Sequence, residues 1–547
     1  MRIRLTSPTR WPYLLVAIVW AITRIYPLSQ AQPWTDWEVA EAKKLLQYGF
    51  SERHGAIINI HFMTGMVSEP WKHNYVNHPY PILWFDTIVY SLAGPWGVLF
   101  ATSLLGLLAC LAVIPALRRC CFSQQQSLIG GLIYTLAPCA ILFDTDTSIV
   151  ALGAIIWPIS MYLIGKEFAQ SRLTSAALLG LVIFVSGQIS WFTYTVFPVL
   201  LGSAAGLSYD ETKRFTLTPN AKLLTAVITG GTLTLAVFSL QIWVYTYNFA
   251  DTLSYIHGQA SAEQGTRIPR MYLGIALRSV LSVGPALILG AIAGFFVLAK
   301  TRLINWLQMS SVLYPLCFSA AALALPRFFY RERTMYGYLL FPCTVLTLTA
   351  LKHARNKLVT AGVLCLAVVT LAYPMLQASI PKVSGTSKRL GEYIRAMSSP
   401  KEVVATNLQH QQRPFQTWDV GSITNTCLVA DRAIREDIST KESLEGLLKN
   451  FQANELNVLF LYDASKPIDH SLRAFLEGLP GAVWTQFEIP IEPPSTATRL
   501  RNMYWRLVGK HQSSAEANLQ ANIEEFAVFH FRLSEEDRLR NGARQSQ

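Results

Sequence analysis

Apolar and polar positions alternate along this chain in long blocks rather than at the spacing of a water-soluble helix or strand. Runs such as LIGGLIYTLAPCAILF, SIVALGAIIWPISMYLIG, LLTAVITGGTLTLAVFSLQIWVYTY, GPALILGAIAGFFVLA and LVTAGVLCLAVVTLAYPML approach the ~20 apolar residues needed to cross a bilayer. About eleven to thirteen such spans are expected before residue 380. The pattern therefore predicts an all-α polytopic membrane bundle over residues 1–380. After about Pro381 the pattern changes. KRLGEYIRAM and SLEGLLKNF have helical spacing, whereas EVVATN, NVLFLYD and AVWTQFEI read as short strands;. These predict a soluble C-terminal α/β domain over 383–510, followed by a charged, frayed tail over 511–547.

Three polar segments interrupt the apolar blocks. The first, residues 30–80, is long enough that a functional role is expected of it. The second is NFADTLSYIHGQASAEQGTRIPRM, and the third, PRFFYRERTMYGY, is short and strongly basic. Within the first, WTDWEVAEAKKLLQYGF has the form of a capped helix. Thr35 and Glu38 fit a capping box, and Val39, Ala42, Leu45 and Leu46 form an apolar stripe. Asp36 then sits in the first turn, where the helix dipole favours a carboxylate.

Composition confirms the class. The 547 residues are 51% hydrophobic and only 15% charged, against about a quarter charged in soluble domains. The net charge of +12 is spread over short loops and the tail, which suits membrane topology and lipid headgroups and argues against a nucleic-acid partner. Of eight cysteines, Cys110, Cys139, Cys317, Cys343 and Cys365 lie in apolar runs, and no CxxC occurs; neither a zinc site nor a disulfide framework is indicated. The start, MRIRLTSPTRWPYLLVAIVWAI, is read as an uncleaved first span, its Arg2, Arg4 and Arg10 retained in the cytoplasm and residues 30–80 placed outside. No asparagine begins an Asn-x-Ser/Thr sequon, which fits a bacterial inner membrane.

In chain order come an acid-bearing helix after the first span, His78-Pro79-Tyr80-Pro81 leading into the second, an acid at Asp144 or Asp146 in LFDTDTSIVAL, and the basic RERTMYGYLLFP before a late span. This assembly resembles the GT-C class of polytopic glycosyltransferases, specifically the relatives of the protein O-mannosyltransferases and the lipid A aminoarabinose transferase. Two regions depart from those relatives: Trp37 stands where they have a second acid, and Gln188, Ile189 and Ser190 occupy the region of their Thr-Lys-Gly.

The resemblance implies inverting transfer of a sugar from a polyprenyl-phosphate donor to a lipid, glycan or protein acceptor at the outer membrane face. Asp36 is the expected general base, with Arg331, Arg333 and His78 on the donor phosphate. Glu38, Asp144, Asp146, Tyr336 and His257 are expected in support. Arg327, Arg331 and Arg333 border apolar spans, where charge is costly unless paired or near the interface, and guanidinium forks suit phosphate oxygens. His54, His61, His73 and His78 share the first loop at spacings that match no compact zinc motif. No metal site is therefore expected, although a divalent cation between Asp36 and Asp144 or Asp146 remains an alternative. A transporter or flippase of lipid-linked sugars is the rival reading. Matching broken helices in two inverted halves would favour it, and the sequence contains no such repeat.

Overall fold

The computed structural model describes residues 10–33, 81–120, 122–146, 150–170, 173–189, 193–209, 214–246, 279–301, 304–324, 339–354, 356–380, 385–397, 403–406, 434–435, 457–463, 470–478, 483–490 and 523–532, with isolated positions such as 39, 42 and 46. The chain divides into two units, Met1–Gln47 with Val76–Ser379, and Tyr48–Tyr75 with Ile380–Gln547.

The first unit is a helical bundle. Its described helices are α1 (Trp11–Ser29), α2 (Pro81–Arg119), α3 (Gln124–Leu136), α4 (Pro138–Asp144), α5 (Val150–Gln170), α6 (Leu173–Gly187), α7 (Thr193–Ala204), α8 (Ala221–Thr246), α9 (Pro285–Thr301), α10 (Trp306–Ala324), α11 (Leu340–Ala354), α12 (Lys357–Val369) and α13 (Ala372–Ala378). Among the described residues, four stretches are long and apolar enough to cross a membrane by length and composition: Trp11–Ser29, Trp84–Arg119, Ala221–Leu240 and Lys357–Ala378. A fifth is α3 with α4, bent by 61°. Other helices are shorter than a bilayer crossing or carry internal proline, as α5 does at Pro158, α7 at Pro198 and α10 at Pro315. Apolar runs in the sequence thus correspond to helices, although many are bent or broken within the run. The chain is built as a membrane protein.

Local chemistry explains where the helices start and bend. In α3, Ser123 Oγ accepts from the Gln126 N–H at 3.2 Å, and Gln126 Oε1 accepts from the Ser123 N–H at 2.9 Å. Asn305 and Gln308 repeat this exchange at the start of α10;. Proline opens α2 at Pro81 and α4 at Pro138, where its missing N–H costs nothing. Inside α2 the ladder breaks at Gly94, whose φ of 64° and ψ of −163° suit only glycine, and Pro95 follows;.

The burial pattern is that of helices packed in lipid. Leu14, Ile18, Ile22 and Ile25 form an exposed apolar stripe on α1, while Val16, Thr23 and Arg24 are buried on its other face. At the bundle centre Trp157 is buried, with Tyr314 edge-on at 5.0 Å and Phe341 stacked at 6.3 Å. Small residues allow close helix approach. A Cβ added at Gly294 of α9 would lie 2.0 Å from the carbonyl oxygen of Leu346 on α11. Gly294→Ala is therefore expected to cost about 1–3 kcal/mol, read as a lower melting temperature in detergent. An unchanged melting temperature would mean that α9 and α11 can separate freely.

The second unit contains a five-stranded mixed sheet of order β4-β3-β5-β7-β6, formed by β3 (Val403–Thr406), β4 (Ile434–Arg435), β5 (Asn457–Asp463), β6 (Val483–Pro490) and β7 (Ile523–Arg532). A separate two-stranded ladder in the first unit pairs β1 (Ser208–Tyr209) with β2 (Phe215–Thr216). In the larger sheet β3 runs parallel to both β4 and β5, while β7 is antiparallel to β5 and β6. Helix α14 (Gly385–Met397) buries Leu390 and Ile394, and α15 (His470–Glu477) buries Leu472 and Leu476. The three strands expected from EVVATN, NVLFLYD and AVWTQFEI are β3, β5 and β6. Residues 523–532 differ from expectation. They lie in the stretch read as a charged tail, yet form β7, hydrogen-bonded on both sides. Phe526, Val528, Phe529 and Phe531 are strong strand formers, and the charge of the flanking residues hid them. The helix expected over SLEGLLKNF lies outside the described residues.

Candidate functional site

One end of the bundle is organised around a buried carboxylate. Asp144, the last residue of α4, and Arg24, in the penultimate turn of α1, form an ion pair with both side chains fully buried. Three donors converge on Asp144 Oδ2: Trp20 Nε1 at 2.8 Å, Arg24 Nη2 at 2.8 Å and Arg24 Nε at 3.2 Å. Arg24 Nη1 donates to the Thr135 carbonyl at 2.7 Å and to Thr23 Oγ1 at 2.6 Å. The guanidinium carbon also lies 5.7 Å from the centre of the Trp20 ring. On the far side, Ser103 Oγ of α2 donates to the Asp144 carbonyl at 2.6 Å. Gly106 makes room for the carboxylate, since a Cβ there would lie 2.1 Å from Asp144 Oδ1. Charge in the apolar interior persists when it is paired and hydrogen-bonded, and this pair satisfies both conditions.

Arg24 is not among the residues that the sequence patterns single out. A lone arginine in WPYLLVAIVWAITRIYPLS was the available signal, because an ionisable group within a span requires a partner. Sequence alone could not name a partner 120 positions away.

Helix directions decide which segments open at the Asp144 end. Gly165 of α5 packs against Arg119, so the C-terminal ends of α2 and α5 lie together at the opposite end. Helix α10 is antiparallel to α5, with Trp306 5.7 Å from Phe168 and Tyr314 beside Trp157. It therefore ends at the level where α5 begins. Helix α11 starts near Trp157 and runs to Lys352, which lies over Phe122 at 5.9 Å, just before α3. Helices α6 and α8 run parallel, Gly180 meeting Gly230 and Gly187 meeting Thr234, and Gly284, before α9, packs on Pro138. The helix ends that bracket positions 30–80, 247–278 and 325–338 therefore all lie at the Asp144 end.

Of the predicted site residues, Asp144 and Asp146 are described. Asp144 is held by Arg24 and Trp20; Asp146 is half-buried just beyond α4. Asp36, Glu38, His78, His257, Arg331, Arg333 and Tyr336 lie outside the described residues. From the predicted helix bearing Asp36, Val39 and Ala42 are helical and buried, and Leu46 is helical and exposed. The same end also holds Asp86 and Thr87 in the first turns of α2, each 4% exposed. Gln188, where the resembling enzymes have Thr-Lys-Gly, is buried, and its Nε2 donates to the Thr234 carbonyl at 3.4 Å; it ties α6 to α8. Phe197 fills the space over Gly231, so this part of the aromatic WFTYTVF run serves packing. Among the described residues no group of three or more His, Cys, Asp or Glu side chains is arranged to hold a metal ion.

A second buried acid lies toward the opposite end. Glu167 of α5 is fully buried, and among the described residues neither carboxylate oxygen has a hydrogen-bond partner. An unsatisfied buried polar group costs roughly 1–3 kcal/mol. Glu167→Leu is accordingly expected to raise the melting temperature of the purified protein, and a lower value would show that the carboxylate contributes to stability.

No protein-family model matches the chain, and no curated protein does. Solved structures do. The apo oligosaccharyltransferase of Archaeoglobus fulgidus superposes with a TM-score of 0.50 at 12% identity, covering 83% of this chain and 69% of that one. The same enzyme in complex with Zn and sulfate gives a TM-score of 0.51 at 11% identity, with 83% and 68% covered. The arabinofuranosyltransferase AftD from Mycobacteria gives 0.52 at 13% identity over 95% of this chain, which spans 42% of that longer one. The fold is that of the GT-C glycosyltransferases. In this GT-C bundle the Arg24–Asp144 pair marks the end at which the polar segments singled out in the sequence begin and end.

Proposed function

We propose that this chain is an integral-membrane glycosyltransferase that moves a sugar from a polyprenyl-phosphate donor to a lipid, glycan or protein acceptor at the outer membrane face. The observation that carries the reading is the shared end of the GT-C bundle. The helices that bracket the acid-bearing segment 30–80 and the arginine-bearing segment 325–338 all terminate at the Asp144 end. Had the two segments been bracketed at opposite ends, no single pocket could have held both charges.

Charge distribution supports the outer location. Arg118 and Arg119 end α2, Lys300 lies in the last turn of α9, and Lys352 and His353 lie in the last turn of α11. These cluster at the opposite end, which the positive-inside bias assigns to the cytoplasm. The inner membrane of a bacterium is the proposed location, and the sheet-containing second unit is proposed as a soluble α/β domain.

The chemistry divides among the chain's own residues as follows. Asp36 takes the proton of the acceptor hydroxyl as it attacks the anomeric carbon. Arg331 and Arg333, with His78, stabilise the phosphate that leaves. A single displacement inverts the anomeric centre. Asp146, Glu38, Tyr336 and His257 support substrate placement. The purified protein, assayed with a panel of polyprenyl-phosphate sugars, is expected to release polyprenyl phosphate and glycosylate an acceptor with one of them. Binding of such lipids without turnover of any would favour the rival flippase.

A further inference from the structure

We propose that Arg24 and Asp144 act as a positioning pair, locking the end of α1 against the end of α4 and the turn after it. The inference rests on the functional reading above and deepens it. Four structural elements meet at this ion pair: α1 through Arg24 and Trp20, α4 through Asp144 itself, α2 through Ser103 on the Asp144 backbone carbonyl and Gly106 beside its carboxylate, and the end of α3 through the Thr135 carbonyl on Arg24. Arg24 also bridges the bend between α3 and α4. Pro138 interrupts the helical ladder there, the axis turns by 61°, and Arg24 Nη1 takes the Thr135 carbonyl beside the break.

Stability alone is a poor reason for such a pair. Replacing a buried ion pair by apolar residues of similar volume is often neutral or stabilising. The pair adds directionality. Three hydrogen bonds from one planar guanidinium leave α1, two to Asp144 and one to the Thr135 carbonyl, and fix the rotation of α1 about its axis and its height relative to α3 and α4;. Asp36 follows Arg24 by twelve residues, and Asp146 follows Asp144 by two. Slippage of α1 against α4 would therefore displace one carboxylate segment from the other, and misplacement by about 1 Å can cost on the order of 10²-fold in rate.

The test compares wild type with the Arg24→Met/Asp144→Leu double variant. Melting temperature, kcat, donor KM and the distance between nitroxide labels on cysteines introduced at Gln30 and Thr145 are measured, with the other reactive cysteines replaced by serine. Melting temperature and KM are expected near wild type, kcat about 10–100-fold lower, and the label distances broadened. Wild-type kcat with a narrow distance distribution in a folded double variant would overturn the proposal. So would lost kcat with unchanged distances, which would assign the effect to something other than placement. Should the double variant not fold, Arg24→Lys serves in its place. It keeps the charge and loses the planar fork, so broadened distances at an unchanged melting temperature are expected, and unchanged distances overturn the pair. If wild type transfers no sugar from any donor, the functional reading fails, while the distance measurement still decides the positioning role.

Discussion

Asp36→Asn is expected to lower kcat for sugar transfer by about 10²- to 10⁴-fold, the range a positioned general base contributes, with donor KM and melting temperature close to wild type. The amide keeps the size and hydrogen-bonding reach of the carboxylate and removes its basicity, so the loss should appear in the chemical step. Asp36 precedes Val39 and Ala42, both buried in helical conformation. The substitution leaves those anchoring contacts intact. Retained kcat in Asp36→Asn would remove this residue from the mechanism. Arg333→Lys provides an independent check on the other half of the proposed pocket. It keeps the charge but loses the bidentate fork, and is expected to reduce turnover as well.

Arg24→Met alone is expected to be severely destabilising, by about 3–5 kcal/mol, the cost of breaking a buried pair and leaving one charge behind. Asp144 is fully buried, and Arg24 donates twice to its Oδ2. Removal of the guanidinium takes away the cation paired with this buried carboxylate. Asp144→Leu should be comparably costly, because Arg24 would keep Thr23, the Thr135 carbonyl and the Trp20 ring but lose its paired carboxylate. The double variant should recover most of the loss, since neither charge is then unpaired. Denaturation of the four proteins in one detergent forms a double-mutant cycle. Strictly additive effects of the two single substitutions would show that the pair does not act as a unit.

The contrast between these residues shows how far the sequence reaches. Helices in the apolar blocks, the start of α2 at Pro81 and the strands β3, β5 and β6 follow from local chemistry: apolar run length, proline at the first helical position, and clusters of β-branched and aromatic residues. The GT-C resemblance, read from an acid helix, a His-Pro-x-Pro segment and a late basic segment, agrees with the fold of the solved neighbours. Each of these signals is contained within a few neighbouring residues. β7 was missed because Ile523–Arg532 lies within a charged stretch and is a strand only through its pairing with β5 and β6.

Gly106 illustrates the same boundary in the site. Nothing in LLGLLAC marks this glycine as the one that clears space for Asp144, since the requirement exists only when α2 and α4 are packed. The sequence by itself determined that the chain is a helical membrane protein with an acid-bearing segment near its start and an arginine-rich one far downstream. Only the tertiary structure decided that the helices bracketing both segments end together, and that Arg24 rather than another cation pairs with Asp144. Hydrophobic run length is a local property of a chain, whereas helix direction and ion pairing depend on which helices pack against each other, and that contact is made across more than a hundred residues.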